Sequence, residues 1–561
     1  MTNMRTPPEP PEGDGQALPF PGAVDQDGQV SFTLYAPGKK SVHLVGDFND
    51  WQQDADPLEE VDDGLWSVTK ELPRGAFEYQ FLLDGELRVC DPYARYVGDE
   101  PGDRPRKATV KVRAEPFAWR HDGWHRPHFK DLLIYEMHIA DFTPQRDFRE
   151  TVDRLDHVRD LGMNCIELMP IFGVADNQGW GYTPTFLFAP NRDYGTPAEL
   201  CWLIDEAHGR GLGVILDMVL AHTGEKHPFN QMYPYDQSPW YGEGPAGGND
   251  YGLPQLDFSK HATRAFVKDV LSYWLTEYHV DGFRFDYIRS VGVTPDGYGI
   301  PTLSWAARSV RADAYLIGEH LPEDPGGMIA ADMDGAWHVR FSHALAALLA
   351  ETESGGYTWE DFEAAIRVLD PGHEGYGEKP TGMVNYLESH DEERIMLLVQ
   401  QAGFDEETAR RKNALGATIL CTAVGVPMLY HGQTWGQDTL KNMDHNYLKW
   451  DALATAGGKG LRDHYARLAQ LRRDRDALRS EHIAIDAVMP EQKSVVYHRW
   501  NDAGDEVVVA ANFSPDTQHL TVPMPSSGSW QELFSDDILE ADDSIELSIE
   551  AWAAKVFLKC P

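Results

Sequence analysis

The segment DGFRFDYIRS, Asp281 to Ser290, closes an apolar run with two opposite charges, Arg284 and Asp286. Residues two apart point to the same side of a strand. A guanidinium and a carboxylate therefore stand together at the end of a strand. Either they satisfy each other or they do chemistry.

The same texture recurs on both sides of this segment. Short apolar runs at 132–138, 165–169, 213–218, 282–286, 315–318, 383–387 and 426–430 read as buried strands, with an eighth near 335–341. Between them lie helical patterns such as FRETVDRLDHVRDLG, TPAELCWLIDEAHGRG and ATRAFVKDVLSYWLTEYH. Eight strand–helix units predict an α/β fold of the TIM (β/α)8 barrel type. A doubly wound sheet would need a Gly-rich turn after its first strand, and MHIADFT is not one.

The flanks differ from this core. Residues 1–24 are rich in Pro, Gly and Asp and are expected to be a disordered tail. Residues 25–115 carry short alternating strands and turn signals, which predict an N-terminal β-sandwich whose Trp51 and Trp66 read as core. The barrel is expected over 128–478, with an aperiodic insertion at 224–256 after the third strand. Short strands return over 483–561 and predict a C-terminal β-sandwich.

The 561 residues include 90 acidic and 49 basic ones, for a formal charge of −41. Nucleic acid is thereby disfavoured as a partner, because phosphate contacts need a basic stripe. Lysines number 17 against 32 arginines, and an acidic, lysine-poor surface predicts a halophile-like milieu. The five cysteines are scattered and form no C-x-x-C pair, so neither a zinc site nor a disulfide framework is expected. No apolar leader and no run long enough to cross a membrane is visible, so a cytoplasmic protein without a membrane partner is expected. The oligomeric state is not legible.

In a TIM barrel, polar groups at the C-terminal strand ends line the active face. Here those ends carry Asp217 and His222, Arg284 and Asp286, Glu319, and His390 with Asp391. Clustered carboxylates without cysteine suit either a divalent metal or glycosidic cleavage. A metal site disfavours a guanidinium beside its central carboxylate. Arg284 is expected to keep Asp286 ionised with a low pKa, whereas the apolar LIGEHL setting is expected to raise that of Glu319.

At these residues the chain resembles the α-amylase family of glycoside hydrolases. DMVLAH, DGFRFD, LIGE and ESHDEER resemble that family's four motif blocks in order. QGWGYTPTFLFAPNRDYGTPAEL and GLPQLDFS are similar to two further family stretches, and GDFNDW…EYQFLLDG to the glucan-binding type of sandwich module that precedes the barrel in branching enzymes. The resemblance implies Asp286 as nucleophile, Glu319 as general acid/base and Asp391 as the group that holds sugar hydroxyls and stabilises the transition state. It implies Arg284 orienting Asp286 with Asp217 behind, His222 and His390 bonded to the same sugar, Tyr182 stacked on it, and Arg394 reaching a neighbouring glucose.

Departures from the family pattern qualify what is carried over. Ala221 stands where the first block usually has an Asn that serves a structural calcium, so no metal and no cofactor is expected. The acidic residues Asp236, Asp250 and Asp257 read as surface solvation, and Phe229, Trp240 and Tyr241 are expected to hold the loop by packing. Ser389 replaces an Asn of the fourth block, and Tyr287–Ser290 stand where many members have a Lys-His pair that holds the leaving-group glucose, so Arg289 is expected to take the place of that Lys in substrate binding. The implied partner is an α-glucan. The expected activity is retaining hydrolysis of α-1,4-glucosidic bonds through a covalent glycosyl-enzyme intermediate. The alternatives are a 1,4-α-glucan branching transferase and a cyclomaltodextrinase or neopullulanase-type hydrolase. A non-catalytic glucan-binding protein is disfavoured because all three catalytic-type carboxylates are present.

Overall fold

The computed structural model describes residues 22–98, 106–175, 179–244, 247–443 and 446–560. Eight parallel strands form a closed barrel: β1 (Ile134–Met137), β2 (Cys165–Leu168), β3 (Gly213–Met218), β4 (Gly282–Phe285), β5 (Tyr315–Gly318), β6 (Gly335–His338), β7 (Met383–Tyr386) and β8 (Val426–Tyr430). Every residue of these strands is buried, which explains why they read as near-continuous apolar runs rather than as alternating ones. Gly282 lets β4 approach β5 closely, since a Cβ there would lie 2.1 Å from the Tyr315 carbonyl oxygen. The sixth strand ends earlier than 335–341, because Val339 already opens the helix Val339–Ala350.

The two carboxylates of DGFRFD face opposite ends of the barrel. Asp281 is fully buried at the N-terminal end, where it accepts the Val214 amide at 2.8 Å and Arg126 Nε at 2.7 Å. Asp286 follows β4 at the opposite, C-terminal end.

Most of the expected tail lies outside the described residues, but Gly22–Gln26 form a strand, so order begins inside its bounds. That strand belongs to a four-stranded antiparallel sheet, and a second four-stranded sheet faces it. Trp66 is core, with Nε1 donating to the Ala36 carbonyl. Trp51 is partly exposed, bonded to Asp47 and covered by Lys107.

This module packs on the segment after β3: Tyr233 donates to the Pro37 carbonyl at 2.7 Å, and Tyr35 meets Trp240 edge-on at 5.9 Å. Within that segment Phe229 and Trp240 stack at 3.6 Å and Tyr241 is fully buried.

The C-terminal domain has a six-stranded sheet and a two-stranded one. Its Arg499 donates to the Thr422 carbonyl at 2.7 Å, at the end of the barrel helix Glu406–Thr422. Arg472, on the last barrel helix Ala456–Asp474, serves the neighbouring Cys421 and Ala423 carbonyls. Among the described residues no helix is long and apolar enough to cross a membrane, and the five cysteines are free.

Candidate active site

Asp217 on β3 and Arg284 on β4 are paired in register, so they belong to one layer of the barrel interior. Arg284 Nη1 lies 2.7 and 2.8 Å from the two Asp217 oxygens and 3.0 Å from Asp286 Oδ1. Its Nη2 makes an ion-pair contact with Glu319 Oε2 at 3.0 Å. One fully buried guanidinium thus touches three carboxylates, and its face lies 4.1 Å from the Trp337 ring centre. Burial disfavours the guanidinium's charge, but Asp217, Glu319 and Asp286 outweigh it and raise its affinity for its proton, and the guanidinium in turn fixes the carboxylates around it.

The backbone sharpens this arrangement. Tyr287, directly after Asp286, has a φ of 44°. Its amide donates to Glu319 Oε2 at 2.8 Å, tying the end of β4 to the loop after β5.

On the other side, His390 Nε2 is 3.2 Å from Asp391 Oδ2, and His390 Nδ1 is 2.7 Å from Glu136 Oε1. Tyr182 stacks on His390 at 5.0 Å and donates to Asp217 Oδ2 at 2.6 Å. His222 bonds the Tyr182 carbonyl at 2.9 Å, while its Nδ1 has no protein partner. The Asp391 side chain is 44% exposed, so it faces the opening, whereas Asp286 and Glu319 sit deeper.

The electrostatics depart from expectation at one point. Burial pushes Asp286 well above the usual carboxylate range; Arg284 opposes this, while Glu319, Asp217 and Asp391 reinforce it. The expectation of a low pKa counted Arg284 and omitted burial beside three other carboxylates. Glu319 is also raised, by burial against the pull of Arg284 and with the push of Asp391. Two such buried neighbours titrate as a unit and retain a proton that isolated carboxylates would lose. Burial pushes Asp391 up too, but His390, Arg284 and Lys441 bring it below the usual range. Burial lowers His222, keeping it neutral near pH 7.

Two of the expected site residues do not join the cluster. Arg394 is buried: Nη1 donates to Glu388 Oε2 at 3.1 Å and to the His431 carbonyl at 2.6 Å, and the guanidinium stacks on Tyr430. It braces the turn that carries Asp391 and does not reach the opening. Arg289 is exposed, with Nη1 3.5 Å from the Leu321 carbonyl. Three carboxyls inside the barrel escaped sequence reasoning: Glu136, Glu167 and Glu388. Their signal was an acidic residue inside an apolar strand run, or directly after one, where acids are rare without a task.

Ala221 supplies no side-chain ligand for calcium. Asp257 Oδ1 is engaged by Ser259, and Asp250 accepts from the Tyr287 hydroxyl. This donor set does not fit the six to eight oxygens that calcium takes. Among the described residues, Glu323, His338 and Glu374 are spaced to hold a metal ion. There Arg340 Nε already lies 2.8 Å from Glu323 and 3.0 Å from Glu374, and His338 Nε2 lies 3.2 Å from Glu374. That cluster is an internally balanced ion network.

Comparison with known proteins agrees with this architecture. Residues 140–243 and 248–477 match the α-amylase catalytic domain, residues 20–94 carbohydrate-binding module 48 (isoamylase N-terminal domain), and residues 485–557 the α-amylase C-terminal all-beta domain. A 1,4-α-glucan branching enzyme of Corynebacterium jeikeium is 28% identical over 92% of this chain and 77% of its own length. The malto-oligosyltrehalose trehalohydrolase of Saccharolobus solfataricus is 26% identical over 75% of this chain and 76% of its own length. The crystal structure of Bacillus subtilis type I pullulanase shares the fold with a TM-score of 0.81 at 21% identity, covering 97% of this chain and 86% of that one. With its catalytic, N-terminal and C-terminal domains all matched, the chain belongs to the α-amylase family of glycosidases.

Proposed function

We propose that this protein is a retaining glycosidase that cleaves α-1,4-glucosidic bonds of glycogen- or starch-type glucans or maltooligosaccharides, with water as final acceptor. The observation that carries the reading is the single guanidinium of Arg284 in contact with Asp217, Asp286 and Glu319. Asp286 attacks the anomeric carbon while Glu319 donates its proton to the departing glycosidic oxygen. A covalent glycosyl–Asp286 ester forms, and Glu319 then takes a proton from water as the ester is hydrolysed. Positive charge developing at the anomeric carbon favours the ionised form of Asp286, offsetting the burial that opposes it. Asp391, exposed at the opening and held negative, complements the same charge and can accept sugar hydroxyls. Tyr182, His222 and His390 form the remaining wall. No metal is required, and the work is done in the cytoplasm.

A second reading, transfer of the glucan chain to a sugar hydroxyl, is favoured by the branching-enzyme relatives. The two share the ester and differ in what resolves it. Incubation with amylose, following reducing ends and the iodine-complex spectrum together, separates them. Hydrolysis raises reducing ends steeply, whereas a spectral shift without a matching rise would replace water with a sugar acceptor.

A further inference from the structure

Under the candidate active site lies a pair of carboxyls with no part in the chemistry just described. Glu136 on β1 and Glu167 on β2 are in-register neighbours inside the barrel, and both are buried. Glu136 Oε1 is 2.7 Å from His390 Nδ1, while its Oε2 has no protein partner. Both Glu167 oxygens lack a protein partner.

We propose that Glu136 is a positioning residue for the glycosidic reaction: it holds His390 through Nδ1 with Nε2 turned to Asp391, and Glu167 remains the uncharged member of the pair. Two adjacent buried carboxyls oppose each other's ionisation. Glu136 has a cation-forming partner at hydrogen-bond distance and Glu167 has none, so the charge belongs on Glu136. Burial and the Glu136 charge both push Glu167 well above the usual carboxylate range, with Arg284 opposing. The imidazole lies between carboxylates at both nitrogens. Burial alone would lower its pKa, but Asp391 and Glu136 raise it well above the ordinary value.

The groups facing His390 are Glu136 from β1, Glu167 from β2, Trp180 and Tyr182 from the loop after β2, Trp337 on β6, Glu319 beyond β5 and its own neighbour Asp391. Only Glu136 bonds Nδ1 closely, since the Tyr182 hydroxyl is 3.5 Å away and already committed to Asp217. A charged His390 donates from Nε2 to Asp391 and keeps that carboxylate ionised. This inference rests on the function proposed above for its consequence in catalysis, but not for its geometry.

The test uses the full chain labelled with 13Cε1-histidine, the His390 signal being assigned by its loss in His390→Gln. In the wild type the signal should stay at the imidazolium position through neutral pH. In Glu136→Gln its titration should move down by about one pH unit or more, with kcat falling about tenfold or more and KM changing less. Glu167→Gln, an isostere of the neutral acid, should leave the His390 titration as in the wild type. An unmoved His390 titration in Glu136→Gln, or an equal shift in Glu167→Gln, would overturn the proposal. Should Glu136→Gln not fold, Glu136→Asp decides: a retained imidazolium signal with reduced kcat supports the proposal, and unchanged kcat contradicts it. The resonance arm needs no turnover, so its failure is distinct from failure of the proposed activity.

Discussion

The Tyr287 amide donates to Glu319 Oε2 at 2.8 Å, so the residue directly after the proposed nucleophile fixes the proposed acid. Glu319 thereby keeps one oxygen engaged by the protein and the other available to a leaving group. Burial raises the pKa of Glu319, so its proton is held to higher pH than an isolated carboxyl would hold it, and that proton is lost as pH rises. Activity should therefore fall along an alkaline limb that Glu319→Gln removes. The variant should lose about 10^2- to 10^4-fold on natural glucans and much less in the glycosylation step on an activated aryl glycoside. Equal losses in pre-steady-state glycosylation of both substrates would take the acid role from Glu319.

Replacing Asp286 by Ala should lower turnover by about 10^3-fold or more while glucan binding persists. Product released by the wild type should first appear as the α-anomer, read by proton NMR. A β-anomer appearing first, or a variant retaining a few per cent of the rate, contradicts the double-displacement reading.

Arg394→Ala should act on stability rather than on subsite binding. Its partner Glu388 is fully buried and would be left without its guanidinium. The loss should be about 3–5 kcal/mol, measured by denaturant unfolding, and Glu388→Gln in the same chain should recover part of it. A stable variant with a raised KM for long glucans would return Arg394 to the sugar-contacting role that the family resemblance implies.

Chelation should leave activity intact. The loop after β3 is held by the Phe229–Trp240 stack, the buried Tyr241 and the contacts of Tyr35 and Pro37 from the N-terminal module. A fall of more than half on EDTA treatment, restored by calcium alone, would contradict this.

The charge of −41 should make stability depend on salt. Repulsion among like surface charges is screened within a Debye length of about 3 Å at 1 M salt. The melting temperature should rise as KCl is raised to the molar range. A flat dependence of both melting and activity would remove the halophile-like reading.

The barrel was legible because its strands are buried on both faces. Each reads as an apolar run bounded by helical pattern, and the eight runs appear as eight strands. The ends were less legible: Val339 continues an apolar run yet starts a helix, since strand and helix share such runs at a junction. At the site, Asp217, Arg284, Asp286, Glu319, His390 and Asp391 converge, as strand-end positions allow. Arg394 turns inward to Glu388 and the His431 carbonyl, which a motif position does not reveal, since it tells which residue is present and not which way its guanidinium turns. Glu136 and Glu167 were missed because LLIYEMH and NCIELMP look like core with a polar interruption. The raised pKa of Asp286 came from burial among other carboxylates, which no local spacing reveals.

Arg499 belongs by sequence to the C-terminal domain, yet the Thr422 carbonyl it serves terminates a barrel helix. The seam between these two parts is therefore a shared helix end, completed from both sides. Cutting the chain at the seam would strip the Thr422 carbonyl of its guanidinium on one fragment and leave Arg499 on the other with the carbonyls of its own side, such as that of His482. For anyone building chimeras among such chains, the last two domains form one exchangeable cassette.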